Sequence, residues 1–157
     1  MSDFLNQLDT PDLEAMGIHG WPYGYSDQVR FHELDALNHV NNASYLSWFE
    51  NIRVRYFQDY GLSSYRRRDG DPQIVVRQQS ADYLAPMLQD ERYVVTARTR
   101  LLKPSSLIMD YAVHSGGAVR ATGSAVLVSL EQDGKARRPH NDEAIKRILA
   151  RDGAERA

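Results

Sequence analysis

Eight residues, Asp35 to Asn42, read DALNHVNN and set one carboxylate, three side-chain amides and an imidazole directly ahead of the aromatic run ASYLSWFENIRVRYF. Gathered at the mouth of a helix, those groups suit acyl transfer. A carboxylate there can attack a carbonyl carbon or take a proton from water. The first N–H groups of a helix have no partner inside it and sit at the positive end of its dipole, so they can receive the oxyanion that forms as a carbonyl is attacked. In this chain they belong to Asn42 and Ala43. Asp35 is the candidate nucleophile or general base. Alone, an Asp between a strand and a helix is more often a turn or capping residue; the octet, the helix and the order of elements together set this one apart. His39 has no Ser or Cys at an elbow to activate, which leaves it a supporting residue that hydrogen-bonds the loop. Asn38 and Asn41 read as turn and cap residues. No metal site is expected, because His19, His32, His39, His114 and His140 show no paired ligand spacing and HELD lacks a second His.

The helix that must hold these groups is written in the residues that follow. Tyr45, Trp48, Phe49, Ile52, Tyr56 and Tyr60 recur at intervals of three and four and define one face. At about 100° per residue, Leu46 and Phe57 widen that face to roughly half the circumference, more than a helix resting on a flat sheet requires. Asn41 or Asn42 serves as N-cap and Gly61 as the left-handed stop, so the spacing predicts a helix over 42–60. Arg53 falls inside the apolar arc, and Glu50, three residues earlier, is its expected ion-pair partner. Trp48, Phe49 and Phe57 read as core.

Before the octet, DQVRFHEL from Asp27 alternates as a first strand with Val29 and Phe31 on one face and His32 near its end. Residues 1–25 carry a short amphipathic stretch (Phe4, Leu5, Leu8, Leu13, Met16) and then GIHGWPYGYS, whose Gly and Pro punctuation reads as an extended arm. Beyond the basic loop SSYRRRDGDPQ come four candidate strands, IVVRQQSADYL, RYVVTARTRLL, LIMDYAVHS and AVRATGSAVLVSLE. Their joints APMLQDE, KPSS and GG have the length of connections between antiparallel neighbours. NDEAIKRILARDG is a short helix capped by Asn141 or Asp142. One strand, one broadly apolar helix and a four-strand antiparallel meander predict an α+β protein, a curved five-stranded antiparallel sheet wrapped around one long helix, the hot-dog fold. The expected division is an arm over 1–25, the hot-dog domain over 26–140 and a C-terminal helix and tail over 141–157.

At 157 residues and 42% hydrophobic, the chain has the size of one globular domain. Its net charge of −2 leaves no basic surplus for a nucleic-acid backbone, and the abundance of arginine reads mainly as composition. With no cysteine there is no disulfide framework, thiol nucleophile or zinc-thiolate site. The opening MSDFLNQLDTPDLEAMG is acidic and lacks the basic and apolar regions of a secretory signal, and no apolar run approaches the roughly 20 residues of a membrane span. A soluble, cytoplasmic protein with neither nucleic-acid nor membrane partner is the expectation.

FHELDALNHVNNASYLSWFENIR resembles the acyl-CoA thioesterases of the 4-hydroxybenzoyl-CoA thioesterase type, in which an Asp after the first strand precedes the long helix by about seven residues and a Tyr follows three positions into it; Asp35, Asn42 and Tyr45 hold those places. The stretch is also similar to the plant acyl-ACP thioesterases, which share HVNN followed by a Tyr and a Trp, here Tyr45 and Trp48. SADYLAP and KPSSL resemble family turns, so the likeness runs from about Val29 to Leu130. It implies hydrolysis of an acyl-CoA to the free acid and CoA, with Asp35 acting either as nucleophile through a mixed anhydride or as general base. Some hot-dog thioesterases use a helix acid instead, which makes Glu50 the fallback. The implied CoA contacts are Lys103 and Ser106 at a strand turn, with charge from Arg137 and Arg138; CoA is part of the substrate and no separate cofactor is expected. Open sheet edges and the family habit of joining sheets imply a homodimer or homotetramer with each site at an interface. Two other readings stay open. One is an acyl-ACP thioesterase using the arginines at 66–68 to hold an acidic carrier, and the other is a non-catalytic module that binds a thioester. A hot-dog dehydratase is disfavoured, since its His and acid motif does not occur here.

Overall fold

The structure is a computed structural model and describes residues 6–66 and 70–157. Phe4 and Leu5 of the expected amphipathic stretch, and Arg67 and Arg68 of the arginine run, lie outside the described residues. In chain order the elements are β1 (Gln7–Leu8), α1 (Thr10–Ala15), β2 (Tyr23–Gln28), α2 (Asn42–Tyr60), β3 (Gln73–Tyr83), β4 (Arg92–Leu102), β5 (Ser106–Ser115), β6 (Ala118–Leu130), α3 (Asp142–Asp152) and β7 (Glu155–Arg156). They make the hot-dog fold: one sheet of five long strands, extended by the two-residue strands β1 and β7, against whose inner face α2 packs.

α2 forms where its pattern and caps place it. Asn41 is the cap, its side chain accepting from Ala43 N, and Gly61 ends the helix at φ 82°, a left-handed conformation that only glycine adopts freely. Tyr45, Trp48, Phe49, Ile52, Tyr56, Phe57 and Tyr60 are all buried. Leu46, expected in the apolar arc, is instead 39% exposed. Phe49 stacks on Tyr111 of β5 at 4.9 Å and lies over Gly123 of β6, where a Cβ would stand 2.5 Å from the ring. That glycine lets helix and sheet approach closely.

Three expectations need correction. The strand expected from Asp27 is β2, which runs from Tyr23 to Gln28, earlier than the alternation indicated, and Phe31–Glu33 is a 3₁₀ turn with Phe31 75% exposed. Gly24, part of the Gly and Pro punctuation of the expected extended arm, sits inside β2, where Leu13 of α1 and the Val95 carbonyl leave no room for a side chain, each 3.0 Å from its would-be Cβ. Second, the four later strands are not a meander. The order is β1-β2-β4-β5-β6-β3, so β3 pairs with β6 at the far edge and residues 84–91 return from that edge to β4. Loop length alone does not distinguish a return to the neighbouring strand from a crossing to a distant one. Third, Arg53 does not pair with Glu50; the buried guanidinium donates to Tyr111 Oη at 3.1 Å, and Glu50 faces solvent.

At the other end of α2, α3 is capped by Asn141, whose side chain accepts from Ala144 N. No helix among the described residues is long and apolar enough to cross a membrane.

Candidate active site

The octet is a folded loop, not an extended lead-in. Asp35 N donates to His39 O at 2.8 Å, Asn38 N to Asp35 O at 3.0 Å, and Asn38 takes φ 60°, a conformation Asn tolerates better than most residues. Leu34 and Val40 bridge across the loop. The half-buried Asp35 spends one oxygen on this turn, Oδ1 accepting from Leu37 N at 2.8 Å and His39 N at 3.3 Å. Its Oδ2 makes no hydrogen bond among the described residues. One oxygen holds the loop and the other is left for chemistry.

Two neighbours press this loop against the helix start. From one side Glu33 accepts through three of its atoms: its carbonyl from Asn41 N at 2.7 Å, Oε1 from Arg30 N at 2.8 Å, and Oε2 from Trp48 Nε1 at 2.5 Å. From the other side Met87 O accepts from Val40 N at 2.9 Å. The strand-crossing segment that carries Met87 is itself pinned. Arg120 donates to Pro86 O at 2.8 Å and pairs with Glu91 at 2.7 Å. Neither Glu33 nor Arg120 stood out in the sequence; both lie outside the octet and meet it only through the tertiary fold.

The amides expected to receive an oxyanion differ from each other. Ala43 N already donates to Asn41 Oδ1 at 2.8 Å, because capping satisfies that donor. Asn42 N–H makes no hydrogen bond among the described residues, and Asn42 is an exposed residue. The arrangement therefore offers one carboxylate oxygen and one helix-start amide. His39 is half-buried and its ring has no hydrogen-bond partner among the described residues. Tyr83, at the end of β3, donates to Asn42 O at 3.2 Å and stands edge-on to Tyr45 at 5.2 Å. Burial, with the Glu91 charge behind it, pushes the Tyr45 phenol up to about 12, so it stays neutral. Glu50 is exposed on the helix flank.

Of the residues expected to meet CoA, Lys103, Ser106 and Arg137 line one groove of about 370 Å³, in which Arg77 of β3 joins them. Arg138 turns away, pairing with Glu131 at 3.7 Å and donating to Gly70 O. Among the described residues no group of three or more His, Asp or Glu side chains is placed to hold a metal ion.

Residues 29–149 match the model of the thioesterase-like superfamily. YsmA of Bacillus subtilis (strain 168), an uncharacterized protein, is 31% identical over 135 residues, which span 82% of this chain and 90% of that protein. A crystal structure of a thioesterase superfamily protein from Jannaschia sp. CCS1 is 32% identical, covers 100% of both chains and superposes with a TM-score of 0.92. A thioesterase from Thermus thermophilus, crystallised with coenzyme A and zinc, is 39% identical over 87% of this chain and 98% of its own, with a TM-score of 0.75. With the octet, the enclosed helix and the sheet in place, the match over most of its length assigns the family: the chain belongs to the thioesterase-like superfamily.

Proposed function

We propose that this protein hydrolyses an acyl-CoA thioester to the free acid and CoA, with Asp35 as the reacting carboxylate. The observation that carries the reading is the division of labour within that side chain: Oδ1 is fixed by Leu37 N and His39 N while Oδ2 is unengaged among the described residues. As nucleophile, Oδ2 adds to the thioester carbon, the C–S bond breaks, CoA leaves as the thiol after protonation, and water cleaves the mixed anhydride. As general base, it takes a proton from the water that adds to the thioester carbon, and that proton passes to the CoA sulfur as the C–S bond breaks. In both routes the Asn42 N–H stabilises the oxyanion, with the dipole of α2 behind it. Ala43, its amide occupied by the cap, shapes the helix start, and His39 supports the loop.

CoA is favoured as the carrier by the cations at the groove of Lys103 and Arg137 and by the coenzyme found with the Thermus relative. The free edge of β3, with Val75 at 38% and Val76 at 44% exposure, supports joining of two copies along that edge into a homodimer. The test is a panel of acyl-CoA thioesters with free-thiol detection, run on the wild type and Asp35→Asn. Turnover by the wild type and its loss in the variant is the expected result; equal rates would remove Asp35 from the mechanism.

A further inference from the structure

The inner face of β3 is only partly covered. Strand pairing puts Tyr83, Gln79 and Val76 on the side of the sheet that α2 occupies, because their partners Ala121, Ala125 and Leu127 of β6 belong to the core. Yet Tyr83 and Val76 each remain 44% exposed, so the helix stops short of the edge strand. Phe49 fills the space over Gly123. Outside that ring, Ala81 and Gln79 floor a trough between the flank of α2 and the free edge of the sheet.

Two polar groups meet in this trough without the partners that burial demands. Arg53 is 6% exposed, and among the described residues its guanidinium makes a single hydrogen bond, to Tyr111 Oη at 3.1 Å, and no ion pair. Nε2 of Gln79 is buried and makes no hydrogen bond among the described residues. The sheet register brings the two together. The Tyr111 hydroxyl leans toward Met109 Sδ at 3.6 Å, Met109 pairs with Ala125, and Ala125 pairs with Gln79. Arg53, bonded to that hydroxyl, therefore stands over the row that ends in Gln79, with the lone methyl of Ala125 between. A buried guanidinium without a counter-charge is costly, and an unmet amide donor beside it adds to the cost. Glu50, one turn earlier, is exposed and supplies no charge here. A carboxylate answers both groups, accepting from the fork of Arg53 and from Gln79.

The trough leads back to the octet. Tyr83 marks its other end, donating to Asn42 O at 3.2 Å. At the helical rise, Arg53 lies about 16 Å along α2 from Asn42. Helical side chains lean toward the N-terminus, which sets the guanidinium roughly 10 Å from the helix start, within reach of a medium-length acyl chain. Resting on the thioesterase reading above, we infer that Arg53 and Gln79 bind a carboxylate at the far end of the acyl chain, so that the preferred substrate is the mono-CoA thioester of a medium-chain dicarboxylic acid. That carboxylate supplies the counter-ion the fold leaves out. A plain alkyl chain of the same length leaves the guanidinium unpaired and is the poorer ligand.

The test sets each dicarboxylic acid mono-CoA thioester against the CoA thioester of the monocarboxylic acid of equal length. Calorimetric titration of Asp35→Asn with both ligands reads recognition apart from hydrolysis. The terminal carboxylate is expected to lower Kd about tenfold or more at the best-matched length. Arg53→Met and Gln79→Leu, each made in that background, are expected to erase the difference while moving Kd for the monocarboxylic ligand less than about twofold. In Arg53→Met the Tyr111 hydroxyl keeps Met109 Sδ as its acceptor, and melting curves report whether each variant is folded. If Arg53→Met does not fold, Gln79→Leu, at a half-buried position of the edge strand, carries the test. Equal Kd values for the two ligands at every length overturn the inference, as does a preference that survives substitution of either residue. Thiol release by the wild type decides the thioesterase reading separately: absence of turnover on every thioester removes that reading, while the carboxylate preference stands or falls by the titration.

Discussion

The two ends of α2 both carry a carboxylate, and they use it in opposite ways. At the C-terminal end Asp152 of α3 accepts from Tyr60 Oη at 2.6 Å, from Thr99 N at 2.7 Å and from Tyr56 Oη. Tyr56 also meets Thr99 Oγ1 at 2.8 Å, and both rings are fully buried, stacked at 3.8 Å. Every polar atom of that cluster is answered, which is how buried polar groups stabilise rather than cost. At the N-terminal end Asp35 is half-buried, with one oxygen bound and one open, beside an amide that caps nothing. Satisfied groups hold a fold; a carboxylate left partly unsatisfied against a pinned loop is available for reaction. Asp152 is the fastener of α3, and Asp35 is the proposed reacting group.

The sharpest way to break this contrast is to neutralise each acid with little change of shape. Asp35→Asn keeps an oxygen for Leu37 N and His39 N, so stability should hold within about 0.5 kcal/mol, while kcat falls by about 100-fold or more, the span of general-base catalysis. Thiol release and a melting curve on the same sample check both halves; a stability loss matching the rate loss would make Asp35 structural. Asp152→Ala should do the reverse. It leaves the Tyr60 phenol and the Thr99 N–H without their acceptor at about 1–3 kcal/mol each, which lowers Tm by many degrees and leaves the rate per folded molecule near wild type.

A smaller effect tests the link between octet and helix. Glu33→Ala removes the acceptor of Trp48 Nε1 and of Arg30 N, so about 1–2 kcal/mol of stability and a modest part of kcat should go together. Glu33→Gln, which can still accept from Trp48, should recover most of both. Loss confined to stability would separate Glu33 from the site.

The smallest effect is a slope with pH. Burial raises the Asp152 carboxyl above its usual value, against the lowering influence of the bonds from Tyr56, Tyr60 and Thr99 and of the Arg151 charge. A carboxyl raised on folding favours the protonated native state, so its contribution is complete below the ordinary carboxylate pKa and is lost as pH rises through the raised value. Melting temperatures taken from about pH 3 to about pH 7, spanning the carboxylate range, should therefore fall for the wild type relative to Asp152→Asn. A difference independent of pH would place the Asp152 pKa at its unfolded value.

The legible parts of this protein are those whose cause is local. The stripe from Tyr45 to Tyr60, the Asn41 cap and the Gly61 stop are set by side chains within a few residues of each other, and they appear where the spacing puts them. The octet was legible as a chemical cluster for the same reason. Gly24 misled because Gly and Pro punctuation reads as an arm outside the sheet, whereas here Leu13 and Val95, distant in the chain, demand its missing side chain. Arg53 misled because Glu50 is its neighbour on paper, yet burial of the helix face offers it Tyr111 and leaves Glu50 in water. Arg138 was grouped with Arg137 by adjacency, although in an extended segment successive side chains point to opposite sides.

By itself, the sequence determined that one long helix would need wrapping and that a carboxylate would stand at its start, because periodicity and capping act over one or two turns. Only the tertiary structure decided that β3 closes the sheet against β6, that Glu33 and the Arg120-pinned segment clasp the octet, and that Arg77 joins Lys103 and Arg137. Those contacts join residues dozens of positions apart, and their free energy depends on which strands are neighbours, a choice that no short stretch of chain encodes.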